Sequence, residues 1–160
     1  TITAEVDLPE PPPDGPGCEG VLIAHGDLTS GYSLFIEDGH LVHDLNIGGS
    51  HQILRSDRPV PSGRHRLGFR MQRTGEGLVK KGIGTLLIDD EPVGSFETEN
   101  IFWILISWSG LDIGLDRGTP VSHYPAPFAF TGTLERVVVE LDTDQDLDAD
   151  AVLDQEVTND

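Results

Sequence analysis

Short apolar runs separated by turn residues constrain this chain more than any other feature. Between Gly20 and Met71 they recur as Val21 to His25, Tyr32 to Glu37, His40 to Asn46, His51 to Arg55 and Arg64 to Met71. That spacing predicts short antiparallel strands. In the last of these runs His65, Leu67, Phe69 and Met71 fall on one face and Arg64, Arg66 and Arg70 on the other, which is the period-2 alternation of a strand with one buried and one wet side. Thr1 to Leu8 alternates in the same way, with Ile2, Ala4, Val6 and Leu8 in phase. Asp38-Gly39, between Ile36 and Leu41, has the form of a two-residue hairpin turn, whose central positions need the positive φ that glycine adopts without steric cost. A second hairpin is predicted at Asp89 to Pro92, between Thr85 to Ile88 and Val93 to Phe96.

Ile101 to Ile106 is apolar without alternation and short, which predicts a central strand covered on both sides. Leu134 to Leu141 is β-branched and is expected to pair with the N-terminal strand, bringing the two ends of the folded part together. No longer segment carries a helical stripe. Nineteen glycines and eleven prolines with many short strands leave a sandwich or a closed barrel. The strand count favours an all-β, two-sheet antiparallel jelly-roll-like β-sandwich with little or no helix. The closely set prolines of residues 9–17 remove backbone donors, so this stretch is a loop or an extended connector.

The 160 residues fit one domain. The net charge of −18 opposes binding to nucleic acid and to anionic membrane. Residues 142–160 carry eight acids and no Lys or Arg, while residues 1–141 carry twenty acids and ten bases. The domain is therefore expected to span residues 1–141, followed by an acidic tail that is disordered or a linker. Asp142, Asp144, Asp146, Asp148 and Asp150 alternate, but the glycine and glutamate of a calcium loop are missing in every register. Cys18 stands alone, so no internal disulfide forms, and it is expected to be a small, half-buried residue. The longest apolar run is far shorter than the roughly 20 residues that span a bilayer, and the chain reads as a soluble piece of something larger.

A set of segments carries a resemblance. Gly20-Val-Leu-Ile-Ala-His-Gly26, Gly31-Tyr-Ser-Leu-Phe-Ile-Glu-Asp-Gly39, Leu86-Leu-Ile-Asp-Asp-Glu-Pro-Val-Gly94, Leu111-Asp-Ile-Gly-Leu-Asp-Arg-Gly-Thr-Pro-Val-Ser122 and Phe130-Thr-Gly-Thr-Leu-Glu-Arg-Val137 together resemble the C-terminal region of large bacterial arylsulfatases. The stretch from Asp112-Ile-Gly to Phe130-Thr-Gly is the most specific. The resemblance implies a concanavalin- or laminin-G-like sandwich that follows a catalytic domain. It implies a bacterial protein with an upstream sulfatase domain as partner in the same polypeptide, and a structural, homo-oligomerisation or active-site-capping role; the single cysteine fits the reducing bacterial cytoplasm. The family's lysine- and glycine-rich loop is reduced here to Glu76-Gly-Leu-Val-Lys-Lys-Gly82, and Gly48-Gly49-Ser50 stands where the family has aromatics. Sulfatase chemistry needs an aldehyde made within a Cys/Ser-x-Pro-x-Arg motif, and Cys18 is followed by Glu-Gly-Val. The resemblance therefore implies a non-catalytic accessory domain that lacks a cofactor of its own, while the parent enzyme hydrolyses sulfate esters.

Candidate sites are few. Asp112 and Asp116 flank a glycine turn and either hold Ca2+ with nearby carbonyls or order the loop by bonding its backbone. Trp108 and Tyr124, with His123 beside them, are candidate ligand-binding residues for stacking a sugar, which would make the chain a carbohydrate-binding module. Trp103, inside the apolar run, reads as core. His40 and His43 are three apart in a strand and so point to opposite faces, and His25, His51 and His65 are isolated in sequence. A nucleophilic triad built on Ser122 and His123 fails, because neighbours in an extended segment point apart.

Overall fold

The computed structural model describes residues 1–13, 17–74, 81–101 and 109–141. Among these residues there is no helix, and ten strands form two antiparallel sheets. In chain order they are β1 (Ile2–Leu8), β2 (Gly20–Gly26), β3 (Ser30–Glu37), β4 (His40–Ile47), β5 (Ser50–Arg55), β6 (Gly63–Arg73), β7 (Gly82–Ile88), β8 (Glu91–Thr98), β9 (Leu111–Ile113) and β10 (Thr133–Val139). One sheet has the order β10-β1-β6-β7-β8 and the other β5-β4-β3-β2-β9. The two face each other as a β-sandwich.

The first sheet follows the alternation of the sequence. Ile2, Ala4, Val6 and Leu8 of β1 are buried, as are Leu67 and Phe69 of β6 and Leu86 and Ile88 of β7. From the second sheet Leu22, Leu34, Ile36 and Leu41 join the same core, and each such side chain contributes roughly 1.5–3 kcal/mol when fully buried. His43 of β4 also points between the sheets. Its ring lies parallel to Phe69, with ring centres 3.4 Å apart, and burial lowers its pKa to about 3. It is therefore a neutral imidazole.

The hairpin turns form as their residues require. Asp38 and Gly39 have φ of 49° and 73°. The second turn is tighter than the sequence suggested. Only Asp89 and Asp90 lie in it, at φ 52° and 68°, and Glu91 and Pro92 already belong to β8. Pro92 is tolerated there because, among the described residues, β8 is an edge strand with one side free of ladder partners. Asp89 supports the turn through its carboxylate, which accepts the Arg66 N–H at 2.9 Å and bonds His65 Nδ1 at 2.7 Å.

β10 lies antiparallel to β1, and the N-terminal ammonium of Thr1 donates to the Glu140 carbonyl while the Glu140 N–H donates to the Thr1 carbonyl. The ends of the folded part meet, as expected. Residues 102–106 of the apolar run, Trp103, Trp108 and residues 142–160 lie outside the described residues; Ile101, at the start of that run, is in no strand.

β2, β3 and β4 are buried on both faces. Their inner face meets the first sheet, and their outer face carries a second apolar cluster of Val21, Ala24, Phe35 and Val42 packed against Val121, Tyr124 and Phe128. Residues 114–130 thus form a third layer over the second sheet.

Candidate functional site

The covering segment is pinned first by backbone. β9 pairs with β2, and beyond it Gly114 turns at φ 76° and donates to the Leu22 carbonyl. The Asp116 N–H donates to Pro127 and the Phe130 N–H to Gly114, closing the segment on itself. The Val21 N–H then reaches the Phe128 carbonyl at 2.9 Å.

Both candidate carboxylates are engaged by this segment. Asp112 accepts the Arg117 N–H at 2.8 Å and the Arg117 guanidinium at 2.8 Å. Burial would raise the Asp112 carboxyl, but the bonds and charge of Arg117 outweigh it and hold the group below its ordinary value. Asp116 is buried and accepts the Val121 N–H at 3.0 Å and the Tyr124 hydroxyl at 2.8 Å. Both therefore make the loop-ordering bonds. Among the described residues no group of three or more His, Cys, Asp or Glu is placed to hold a metal ion.

Tyr124 does not fit the stacking role expected of it. It is 3% exposed, its ring meets Phe35 edge-on at 4.9 Å and stacks on Phe128 at 5.2 Å. A ring enclosed in this way has no face to offer a sugar. Burial pushes its phenol well above the ordinary range. His123, one residue earlier, is exposed.

The structure brings together a cluster that is scattered in the sequence. Asp44 projects from the outer face of β4 and is fully buried. Its Oδ2 accepts the Ser122 hydroxyl at 2.6 Å and bonds His51 Nδ1, on β5, at 2.7 Å, while its Oδ1 has no hydrogen-bond partner. The His51 ring lies against that of His123, with centres 4.2 Å apart and planes inclined by 39°. Two residues along β4, Asn46 donates to the carbonyls of Leu28 at 3.0 Å and Val121 at 3.1 Å and accepts the Gly49 N–H at 2.9 Å. Asn46 therefore ties the covering segment to two neighbouring turns.

Serine, histidine and aspartate meet here in an order unlike a nucleophilic triad. A relay places the imidazole between hydroxyl and carboxylate; here the carboxylate stands between the other two, and Ser122 has no base on it. What the arrangement provides is a buried anion that holds one imidazole by Nδ1, with a second imidazole beside it. Seventy-two positions separate His51 from His123, which is why neither drew attention to the other in the sequence. A usable signal existed in His40-Leu-Val-His-Asp-Leu-Asn46, where Asp44 and Asn46 are in phase with Val42, marking a polar pair on a face that is also apolar.

A groove of about 360 Å³ lies elsewhere, between Leu8 and Pro9 on one side and Ile36, Pro59 and Val60 on the other, with Cys18 on its wall. Burial pushes the Cys18 thiol up, against the lowering effect of its bond with Thr131, so it is held as the unreactive protonated form. No protein-family model matches the chain, and no curated protein matches it. The resemblance to arylsulfatases rests on the sequence segments alone. Among the described residues no helix is long and apolar enough to cross a membrane.

Proposed function

We propose that this chain is a non-catalytic accessory module of a larger hydrolase, of the arylsulfatase kind its segments resemble, with a structural role toward an upstream catalytic domain. The observation that carries this reading is the use made of the polar side chains in the covering segment. Asp44 and Asn46 of β4 and Asp112 of β9 bond Ser122, Val121 and Arg117 and so hold the covering segment to the second sheet, while Asp116 bonds Val121 and Tyr124 and fixes the segment's own shape. A cleft built for catalysis needs groups left free to meet a substrate. The best-connected polar residues here maintain shape instead.

A chromogenic aryl sulfate assay tests this, run on the 160-residue chain and on the same chain fused to the catalytic domain proposed to precede it. Activity only in the fusion supports the accessory role. Turnover by the chain alone, or a catalytic domain whose activity, stability and assembly are unaltered by removing the module, overturns it.

A further inference from the structure

We propose that the open side of the sandwich, between the edge strands β9 and β10, takes an extended cationic β-strand from a partner protein.

The two lateral sides of the sandwich are finished differently. On one side β5 and β8 are laced together: the Asp57 N–H donates to the Val93 carbonyl at 2.8 Å, and a Cβ on Gly94 would stand 3.2 Å from the Arg55 carbonyl oxygen. On the other side β10 ends the first sheet and β9 the second, and among the described residues neither has a ladder partner on its outer side. Side chains of both strands line the gap between them. Ile113 is set opposite Ile23, and Leu134, Val137 and Val139 are set opposite Val6, Ala4 and Ile2, all core residues. Strand alternation therefore aims these four, and Leu111 in phase with Ile113, between the sheets. A Cβ on Gly114 would lie 3.7 Å from Leu134, which sets the end of β9 against the start of β10. β2 starts beside Ala129 and Thr131 and runs toward His25, in the same sense as β10 runs toward Val139. Leu111, opposite His25, thus stands farther along the same gap. Although they point inward, Leu111 is 49% exposed, Ile113 47% and Val139 45%, and Leu141, just past β10, is 71% exposed.

The shape of the gap selects a strand. An edge presents a row of backbone donors and acceptors that another strand can pair with, and alternate side chains of the added strand fill the apolar positions between the sheets. Charge selects the kind of strand. Arg117 and Arg136, the bases beside the gap, are already held by Asp112 and Glu5. Glu19, bonded to Thr131 ahead of β10, and Glu140, next after it, have no ion pair among the described residues. Beyond Leu141 the sequence continues into eight acids without a Lys or Arg. Complementarity therefore favours a strand that carries Lys or Arg, and it disfavours a second copy of this chain, whose own charge is −18.

The test is an NMR titration of the isotope-labelled 160-residue protein with a capped peptide of about eight residues that alternates Val and Lys. Two control peptides keep its charge: one alternates Ser and Lys, and the other is the Val-Lys peptide N-methylated at alternate residues, which removes its ladder donors. The Val-Lys peptide is expected to bind one to one and shift the amides of β9 and β10 while leaving those of β5 and β8, with both controls at least about 10-fold weaker. Ile113→Ser combined with Val139→Ser, at exposed positions, should leave the protein folded and weaken the peptide about 10-fold or more. Ile53→Ser, at an exposed apolar position on β5, should not alter binding. No shift at about 1 mM peptide, equal binding of the Ser-Lys peptide, or full binding by the double variant overturns the proposal. Sedimentation equilibrium without peptide tests the other occupants: a dimer of the chain, lost in the double variant, gives the edge to a second copy and overturns the choice of partner. Contacts of residues 102–108 with Ile113 and Val139 in the peptide-free protein make the chain its own occupant and overturn it as well.

Discussion

The Tyr124 hydroxyl donates to Asp116 Oδ2 across 2.8 Å inside the layer that covers the second sheet, and the same oxygen accepts the Val121 N–H. One buried carboxylate therefore satisfies a side chain and a backbone group eight and five positions ahead of it. Asp116→Ala leaves both donors without a partner and is expected to cost about 2–4 kcal/mol, whereas Tyr124→Phe removes one bond and should cost roughly 1–2 kcal/mol. Urea denaturation of the two variants measures this; equal, near-zero costs would show that water replaces Asp116.

The two tyrosines of the chain are expected to resist alkaline titration. Burial raises both Tyr32 and Tyr124 above the ordinary phenol. The unfolded chain then releases its phenolic protons first, so the stability these groups contribute is complete below pH about 10 and falls as pH rises above it. The tyrosinate absorbance should appear together with unfolding. Its appearance in a still-folded protein near the free phenol value would contradict the packing of Tyr124.

His43 predicts the opposite limb of the pH profile. Its folded pKa of about 3 lies below the free value, so the unfolded state binds the proton more readily between pH about 6.5 and 3 and stability falls as pH drops through that window. From pH 7 to pH 5 the loss from this group is about 2 kcal/mol. Denaturation at the two pH values, repeated for His43→Leu, checks it; the variant should lose that part of the dependence.

Gly84 sits where no side chain fits. A Cβ there would lie 2.9 Å from Phe69 Cζ and press on the Phe96 ring as well. Gly84→Ala is expected to destabilise the sandwich by about 1–3 kcal/mol through overpacking, visible as a lower melting temperature. Gly48→Ala, where a Cβ meets nothing within 4 Å but φ is 61°, should cost less, since only backbone strain opposes it.

The fold was legible because the first sheet faces one core with one side and solvent with the other. Ile2 to Leu8 and His65 to Met71 alternate for that reason, and the Asp38-Gly39 turn follows from its need for positive φ. The site was less legible because the second sheet is covered twice. Phe35 and Val42 read as ordinary strand residues, and nothing local says that residues 114–130 fold back over them. Asp112 and Asp116 stood out as a pair, and both bind their own loop. Tyr124 stood out as an exposed aromatic, and enclosure by Phe35 and Phe128 made it core. Asp44 and Asn46 escaped notice and His51 read as isolated, since their partners are turns and loop residues remote in sequence.

The reciprocal bonds between Thr1 and Glu140 give the sandwich a single gate through which the polypeptide enters and leaves. A unit with its ends at one corner behaves as a graft: it can be set into a surface loop of a host protein without pulling that loop apart. It also tolerates a new opening. Joining Thr1 to Glu140 through a short linker and cutting between Gly48 and Gly49 yields a circular permutant in which every neighbouring pair of strands is kept, with only the β4 to β5 connection severed.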